Sequence, residues 1–292
     1  MSLQKLIFVT GGTGKQGGAV ARNLVSQGFG VRVLTRNPNS IKCTELQRLG
    51  VECVKGNLDE VDTYREYLRD AYGVFSVQTF EKGVKKEIEQ GKTLANLACQ
   101  FGVKHFIYSS VAGADLHTGI PHFESKYEIE EHIKKIGLPY TILRPVSLFE
   151  NFLFPQVKRS ILKGKLMQPT NRETSLQFVS CDDVGKVAVK AFENPDTNLY
   201  QTITLASEEL TTQQVADLFS AELNMPVAYK KVPWVVTRFI LGKEVYRMFN
   251  WFNQGNKMAN MKQIYHFRET QDPLMLQEWI KDRFKDHQQP QA

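Results

Sequence analysis

The sequence predicts an α/β fold: a doubly wound parallel sheet followed by a smaller C-terminal α+β lobe. Three observations carry that prediction. From Leu6 to Arg144, short apolar runs with strand character alternate with stretches of helical spacing; a glycine-rich turn joins the first run to the first helix; and beyond Arg144 that alternation gives way to shorter strands and an aromatic stretch. Strands alternating with helices of this length pair in parallel through right-handed crossovers. The 292 residues, 42% hydrophobic and 23% charged, supply the core of one large α/β domain, or of a domain with a smaller lobe, and exclude intrinsic disorder.

The first strand is Leu6, Ile7, Phe8 and Val9, followed directly by Gly11, Gly14 and Gly17, after which Ala19, Val20, Ala21, Leu24 and Val25 continue at helical spacing. In such a turn backbone N–H groups can approach an anion while the helix dipole favours its negative charge, which is the dinucleotide-binding arrangement. The plain alternative is a strand-to-helix turn that binds nothing. Gly30 to Thr35 alternates and is β-branched, as a second strand should be. It ends Thr35-Arg36-Asn37-Pro38 with no acid. An Asp or Glu here would take the ribose 2′-hydroxyl of NAD, whereas Arg36 suits the 2′-phosphate of NADP, which it can pair bidentately. An arginine merely exposed at a strand end is the other reading.

A helix over Ile41 to Leu49 leads to a third strand, Val51 to Lys55, closed by Gly56-Asn57-Leu58-Asp59. That turn lies beside the adenine in this architecture, making Asn57 a candidate polar contact and Leu58 an apolar cover. Asp59 is expected to cap a helix beginning near Val61. Gly73 to Val77 is the fourth strand, and Gln78, Thr79 and Phe80 at its C-terminal end fall where loops line the ligand crevice. In the long helix Lys82 to Phe101, Ile88, Leu94, Ala95, Leu97 and Ala98 form a buried face, while Lys82, Lys85 and Lys86 with Glu81, Glu87 and Glu89 look like a solvated mixed-charge start. Lys104 to Tyr108 is the fifth strand, closing on Ser109-Ser110. His122 to Lys126 opens a helix through Ile133, and Pro139 to Arg144 is the sixth strand.

The turn Gly11-Gly12-Thr13-Gly14-Lys15-Gln16-Gly17, the strand end Thr35 to Pro38, the run His122 to Lys126, and Leu143-Arg144-Pro145 before Phe149-Glu150-Asn151 together resemble the NmrA-like family, atypical members of the short-chain dehydrogenase superfamily. The resemblance covers nearly the whole chain. It implies a Rossmann-like NADP-binding domain over 1–150, with segments near 177–206 returning to it, and a smaller substrate or partner lobe over 151–292. It implies contacts to NADP(H) at Gly11, Thr13, Gly14, Lys15, Gln16, Gly17, Arg36, Lys126, Phe149 and Asn151. Members of the family are either reductases of quinones and similar electrophiles or regulators that sense the NADPH to NADP⁺ ratio and bind partner proteins. Conventional members of the superfamily carry Tyr-x-x-x-Lys; here the lysine position is Lys126 and the tyrosine position is His122. Lys126 can still grip the ribose, and His122 is the candidate acid, its alternative being a cap or surface residue.

The charge of +6 is spread along the chain rather than gathered in a block, which argues for an anionic cofactor over direct nucleic-acid binding. No apolar run is long enough to span a bilayer, and the early first strand leaves no room for a signal sequence, so a cytoplasmic protein is expected. Cys43, Cys53, Cys99 and Cys181 form no CxxC pair, so neither a disulfide framework nor a metal site is expected and all four read as packing residues.

In the C-terminal half, Gln177 to Ser180 reads as a strand, with Asp182 and Asp183 capping a helix over Val184 to Phe192. Thr202 to Ala206 is a further strand and Thr212 to Leu223 an amphipathic helix. Phe239, Tyr246, Phe249, Trp251 and Phe252 are expected to fill the core of a helical lobe; if exposed they would mark a substrate mouth or a protein-docking surface. Pro273 to Phe284 holds a last helix, and Gln288 to Ala292 a frayed end. The expected function is an NADPH-dependent oxidoreductase reducing a small electrophile such as a quinone; the alternative is a non-catalytic redox sensor regulating a partner protein.

Overall fold

The computed structural model describes residues 4–240, 242–262, 264 and 272–287; Gln288 to Ala292 lie outside the described residues. In chain order the elements are β1 (Leu6–Val9), α1 (Lys15–Ser26), β2 (Gly30–Thr35), α2 (Ile41–Arg48), β3 (Glu52–Lys55), β4 (Gly73–Ser76), α3 (Val84–Gln100), β5 (His105–Ser109), α4 (Pro121–Lys135) and β6 (Tyr140–Pro145). There follow β7 (Ser147–Leu148), α5 (Pro155–Ile161), β8 (Lys165–Gln168), β9 (Ser175–Val179), α6 (Cys181–Glu193), α7 (Pro195–Asn198) and β10 (Gln201–Leu205). The chain continues with β11 (Glu208–Thr211), α8 (Thr212–Leu223), β12 (Ala228–Lys231), α9 (Trp234–Ile240), α10 (Lys243–Asn253) and a last helix, Leu276–Arg283. Two compact units result, one within Met1–Pro145 and Cys181–Thr204, the other within Val146–Ser180 and Leu205–Ala292.

The first unit is built on a seven-stranded sheet ordered β10-β6-β5-β4-β1-β2-β3. This is a Rossmann-like doubly wound sheet, with β1 paired in parallel to β2 on one side and to β4 on the other. The order therefore reverses between β1 and β4, where such sheets open a ligand crevice at their C-terminal ends. Ile7, Phe8 and Val9 are fully buried, as a central parallel strand covered on both faces requires. Beneath one face, Phe8, Val74, Phe106 and Tyr108 pack with Leu94 and Ala98 of α3 and Ile129 and Ile133 of α4. Small residues bring helices close: a Cβ on Gly91 would lie 2.7 Å from Ile129, and one on Gly185 of α6 would lie 3.1 Å from the carbonyl of Ala19 in α1.

The second unit has a three-stranded sheet, β11-β9-β7, and a two-stranded one, β12-β8. Its core is aromatic: Phe149 lies 5.7 Å from Trp279, and Phe152 lies 5.3 Å from Phe219, between ring centroids. Helix α8 starts in a capping box between Thr211 and Gln214 and buries Val215 and Phe219.

Several expectations are corrected. No α-helix starts near Val61; two short 3-10 turns, Val61–Thr63 and Arg65–Leu68, stand there. Asp59 caps neither, because its carboxylate accepts from Lys82 at 2.7 Å and from Gln90 at 2.6 Å. Helix α6 begins at Cys181, so Asp182 and Asp183 are first-turn residues rather than caps; there they complement the helix dipole, Asp182 also accepting from Asn23 at 2.9 Å. Glu87 is not on a solvated face: it is fully buried. Cys43 and Cys181 are buried, but Cys99 is exposed. Of the aromatics from Phe239 to Phe252 only Phe252 is buried, while Phe239 is 75% exposed, as are Trp234 at 61% and Ile240 at 74%. The core of this unit is already filled by Phe149, Phe152, Phe178, Phe219, Trp279 and Phe284. Among the described residues no helix is long and apolar enough to cross a membrane, and no cluster of three or more His, Cys, Asp or Glu could hold a metal.

Candidate functional site

The turn after β1 is shaped to leave backbone exposed to an anion. Thr10 ties it to the end of β4: its hydroxyl donates to the Val77 carbonyl at 3.0 Å and accepts from the Val77 N–H at 2.8 Å. Gly11 is left-handed, with φ +63°, and the Gly14 N–H closes the turn on the Gly11 carbonyl at 2.8 Å. A Cβ on Gly17 would stand 2.4 Å from the Thr10 carbonyl oxygen and 2.5 Å from the Gly11 carbonyl carbon, so the helix rests directly on the turn. Gly14 is the N-cap of α1 and offers no side-chain acceptor, and no acid stands in the first turn. The leading N–H groups and the dipole of a 12-residue helix thus face the turn without an anionic side chain. A phosphate-bearing nucleotide fits this cradle. Arg36, just past β2, is exposed and has no hydrogen-bond or ion-pair partner among the described residues. From α2, Lys42 donates to the Thr13 carbonyl at 3.0 Å.

A second group of residues gathers at the ends of β4 and β5. The Phe80 ring stacks on His122, with centroids 4.5 Å apart and planes inclined by 21°. His122 is 6% exposed, and its Nδ1, like the Gln78 Oε1, is a buried polar atom with no hydrogen-bond partner among the described residues. Lys126 reaches the Gln78 carbonyl at 3.4 Å and the Glu87 carboxylate at 2.9 Å. Ser125 donates to the other Glu87 oxygen at 2.6 Å. Across the crevice, the Ser109 hydroxyl donates to the Gln16 amide oxygen at 2.6 Å, joining α1 to the end of β5.

Burial, reinforced by the neighbouring Lys126 charge, pushes His122 down to about 4. At neutral pH it is therefore an uncharged imidazole, able to hold a hydrogen bond but poorly stocked with a proton to deliver. The same shift makes a stability prediction. His122 stays neutral when folded at pH values where an unfolded histidine is already protonated. Its contribution is complete above the ordinary value of 6.5 and is lost as the pH falls from there towards about 4, an effect of roughly 3 kcal/mol. Replacing His122 with glutamine is expected to flatten that acid limb of unfolding free energy against pH, leaving the share of His105, also pushed down to about 4 by burial. An unchanged acid limb would contradict this assignment.

Not every candidate from the sequence joins these groups. Asn57 uses its side chain locally, donating to Glu60 at 2.9 Å and accepting from the Asp59 N–H at 3.2 Å. Leu58 is partly buried against the core under the sheet. Thr79 is exposed at the end of β4. Phe149 and Asn151 belong to the second unit, where Phe149 is fully buried beside Phe178 and Trp279 and Asn151 is exposed. Sequence reasoning missed Lys42 and Glu87. The signal for Glu87 was present: it stands four residues before Gly91 and seven before Leu94, on the face read as buried.

With this geometry in hand, the chain can be compared with known proteins. The model of the NmrA-like family matches residues 3–280. An NmrA-like family domain-containing protein of Dictyostelium discoideum is 33% identical over 270 residues, covering 86% of this chain and 88% of that protein. NmrA, a negative transcriptional regulator, solved in complex with NAD, superposes with a TM-score of 0.80 at 22% identity, over 98% of this chain and 97% of its own. The NADPH-dependent quinone oxidoreductase of Escherichia coli, solved with NADPH, gives 0.79 at 18% identity, over 95% of this chain and 99% of its own. At these identities the structural likeness is one of fold.

Proposed function

Because the chain belongs to the NmrA-like family, we propose that it binds NADP(H) at the glycine turn and works as an oxidoreductase on a small electrophile such as a quinone. The observation that carries the reading is the uncapped N-terminus of α1, resting on a turn with no room for a side chain at Gly17, with the unpaired Arg36 one strand away. In its support, NmrA has been solved with NAD and with NADP, and the E. coli quinone oxidoreductase with NADPH. The N–H groups of Lys15 and Gln16 would hold the pyrophosphate and Arg36 the 2′-phosphate, with Gly11, Thr13, Gly14 and Gly17 shaping the turn. Lys126 would hold the ribose, and Gln78, Thr79 and Phe80 would border the nicotinamide. Bound in its reduced form, the coenzyme supplies a hydride. Neutral His122, stacked on Phe80, orients rather than protonates, so the proton that completes reduction of a quinone oxygen comes from water.

The second reading is a non-catalytic NADPH/NADP⁺ sensor that regulates a partner protein. The exposed apolar side chains of α9, Trp234, Phe239 and Ile240, favour it. Sensing requires the partner-binding state to discriminate between the two coenzyme forms, since only differential affinity shifts an equilibrium. Titrating NADPH, NADP⁺ and NADH, then following NADPH oxidation with a panel of quinones and aldehydes, separates the readings: turnover supports the oxidoreductase, and tight NADPH binding without turnover supports the sensor. Changing Arg36 to aspartate is expected to weaken NADPH binding by about ten- to a hundredfold, the worth of a charge-assisted contact, with little loss for NADH. Equal losses for both coenzymes would remove Arg36 from the 2′-phosphate site.

A further inference from the structure

We propose that Glu87 is a positioning residue of the nucleotide site: its buried carboxylate holds the Lys126 ammonium at the end of β4 and so sets how tightly the nicotinamide half of the coenzyme is held. The inference rests on the NADP(H) reading above. Glu87 is fully buried, and a carboxylate there is tolerated only when its charge is matched and its oxygens are hydrogen-bonded. The charge match and a hydrogen bond to one oxygen both come from one helix. Ser125 donates to one oxygen at 2.6 Å, and Lys126 stands 2.9 Å from the other.

Helix packing sets this pairing. Gly91, one turn after Glu87 on α3, faces Ile129, one turn after Ser125 on α4, and a Cβ at Gly91 would lie 2.7 Å from the isoleucine side chain. The absent side chain lets the helices close until Glu87 meets Ser125 and Lys126. Lys126 is 12% exposed along its side chain, and its ammonium carries three donors. Its charge is paired with Glu87, and one donor reaches, at 3.4 Å, the main-chain carbonyl of Gln78, just past the end of β4 at the crevice. Donor capacity remains for a ligand oxygen. Without the carboxylate the flexible four-carbon stem has no anchor in the core, and the ammonium is free to leave the Gln78 carbonyl for solvent.

The test uses two ligands. NADPH spans the whole site; adenosine 2′,5′-bisphosphate carries the adenosine and 2′-phosphate but lacks the nicotinamide half. In Glu87→Gln, which keeps the shape and removes the charge, NADPH is expected to bind about tenfold more weakly or worse while the bisphosphate stays within about twofold of wild type. A purely structural defect would weaken both ligands together, and that outcome, or unchanged NADPH affinity, overturns the proposal. If Glu87→Gln does not fold, the double variant Glu87→Gln with Lys126→Met removes both charges. It is then compared with Lys126→Met alone: equal NADPH affinity supports action through Lys126, and a further loss overturns it. Wild-type protein that binds neither ligand would refute the NADP(H) reading instead, which separates the two failures.

Discussion

Replacing Glu130 with alanine is expected to destabilise the first unit by about 3–5 kcal/mol, the usual effect of stripping one partner from a buried ion pair. Glu130 is fully buried on α4 and accepts from Arg144 twice, from Nε at 2.9 Å and Nη2 at 2.6 Å. It also takes the Ser110 hydroxyl. Arg144, 8% exposed at the end of β6, uses its remaining arm on Asp115 at 2.6 Å, in the loop after β5. Alanine would leave a buried guanidinium facing a half-exposed aspartate and a buried hydroxyl without its acceptor. The measurement is the urea midpoint at unchanged denaturant dependence, and a shift worth less than about 1 kcal/mol would show that Arg144 finds other solvation. Replacing Glu130 and Arg144 together by leucines should recover much of the loss, because the penalty lies in the orphaned charge rather than in the missing attraction.

The second large effect is expected at Gly17. Valine there places its Cβ 2.4 Å from one main-chain oxygen and 2.5 Å from a main-chain carbon, and neither can swing aside as a side-chain tip would. The turn or the helix start must move, at a cost of about 1–3 kcal/mol or more, and the N–H groups lose their common direction. NADPH at a hundredfold excess over its dissociation constant, which should stabilise wild type by about 2.7 kcal/mol, is expected to leave this variant's melting temperature unchanged. Gly28→Ala is the contrast: its φ of +80° strains alanine, but nothing lies within 4 Å of the new Cβ, so the ligand-induced shift should survive. A normal shift in the Gly17 variant would dissociate the turn from nucleotide binding.

The sheet of the first unit was readable because β1, β2, β4 and β5 are short, largely apolar runs each followed by a helix, a pattern that topology rules turn into a winding order. The glycine turn was readable for the same reason, since its residues are local and their spacing is the signal. What escaped was long-range. Glu87 sits among six charged residues between Glu81 and Glu89, and local composition gave it to solvent. Its place on the face of Gly91 and Leu94 pointed inward, and the close approach of α3 to α4 at Gly91 is what that face meets. Asp59 has the chemistry of a cap, but Lys82 and Gln90, 23 and 31 residues away, claim its oxygens. The aromatic stretch misled in the opposite way: Phe239 has the character of a core residue, yet residues far apart in sequence, Phe149 and Trp279 among them, already occupy that interior.

The chain leaves the seven-stranded sheet after β6 and comes back with α6 and β10. On its return α6 sets Gly185 against Asn23 and Ala19, on the flank of the helix that follows the glycine turn, and Asp182 takes the Asn23 amide. The seven-stranded module is thus not contiguous in the sequence. A fragment ending at Pro145 would uncover the apolar flank of α1 and bare a sheet edge at β6, so exchanging the second unit between relatives means grafting both 146–180 and 205–292 across three junctions rather than joining halves end to end.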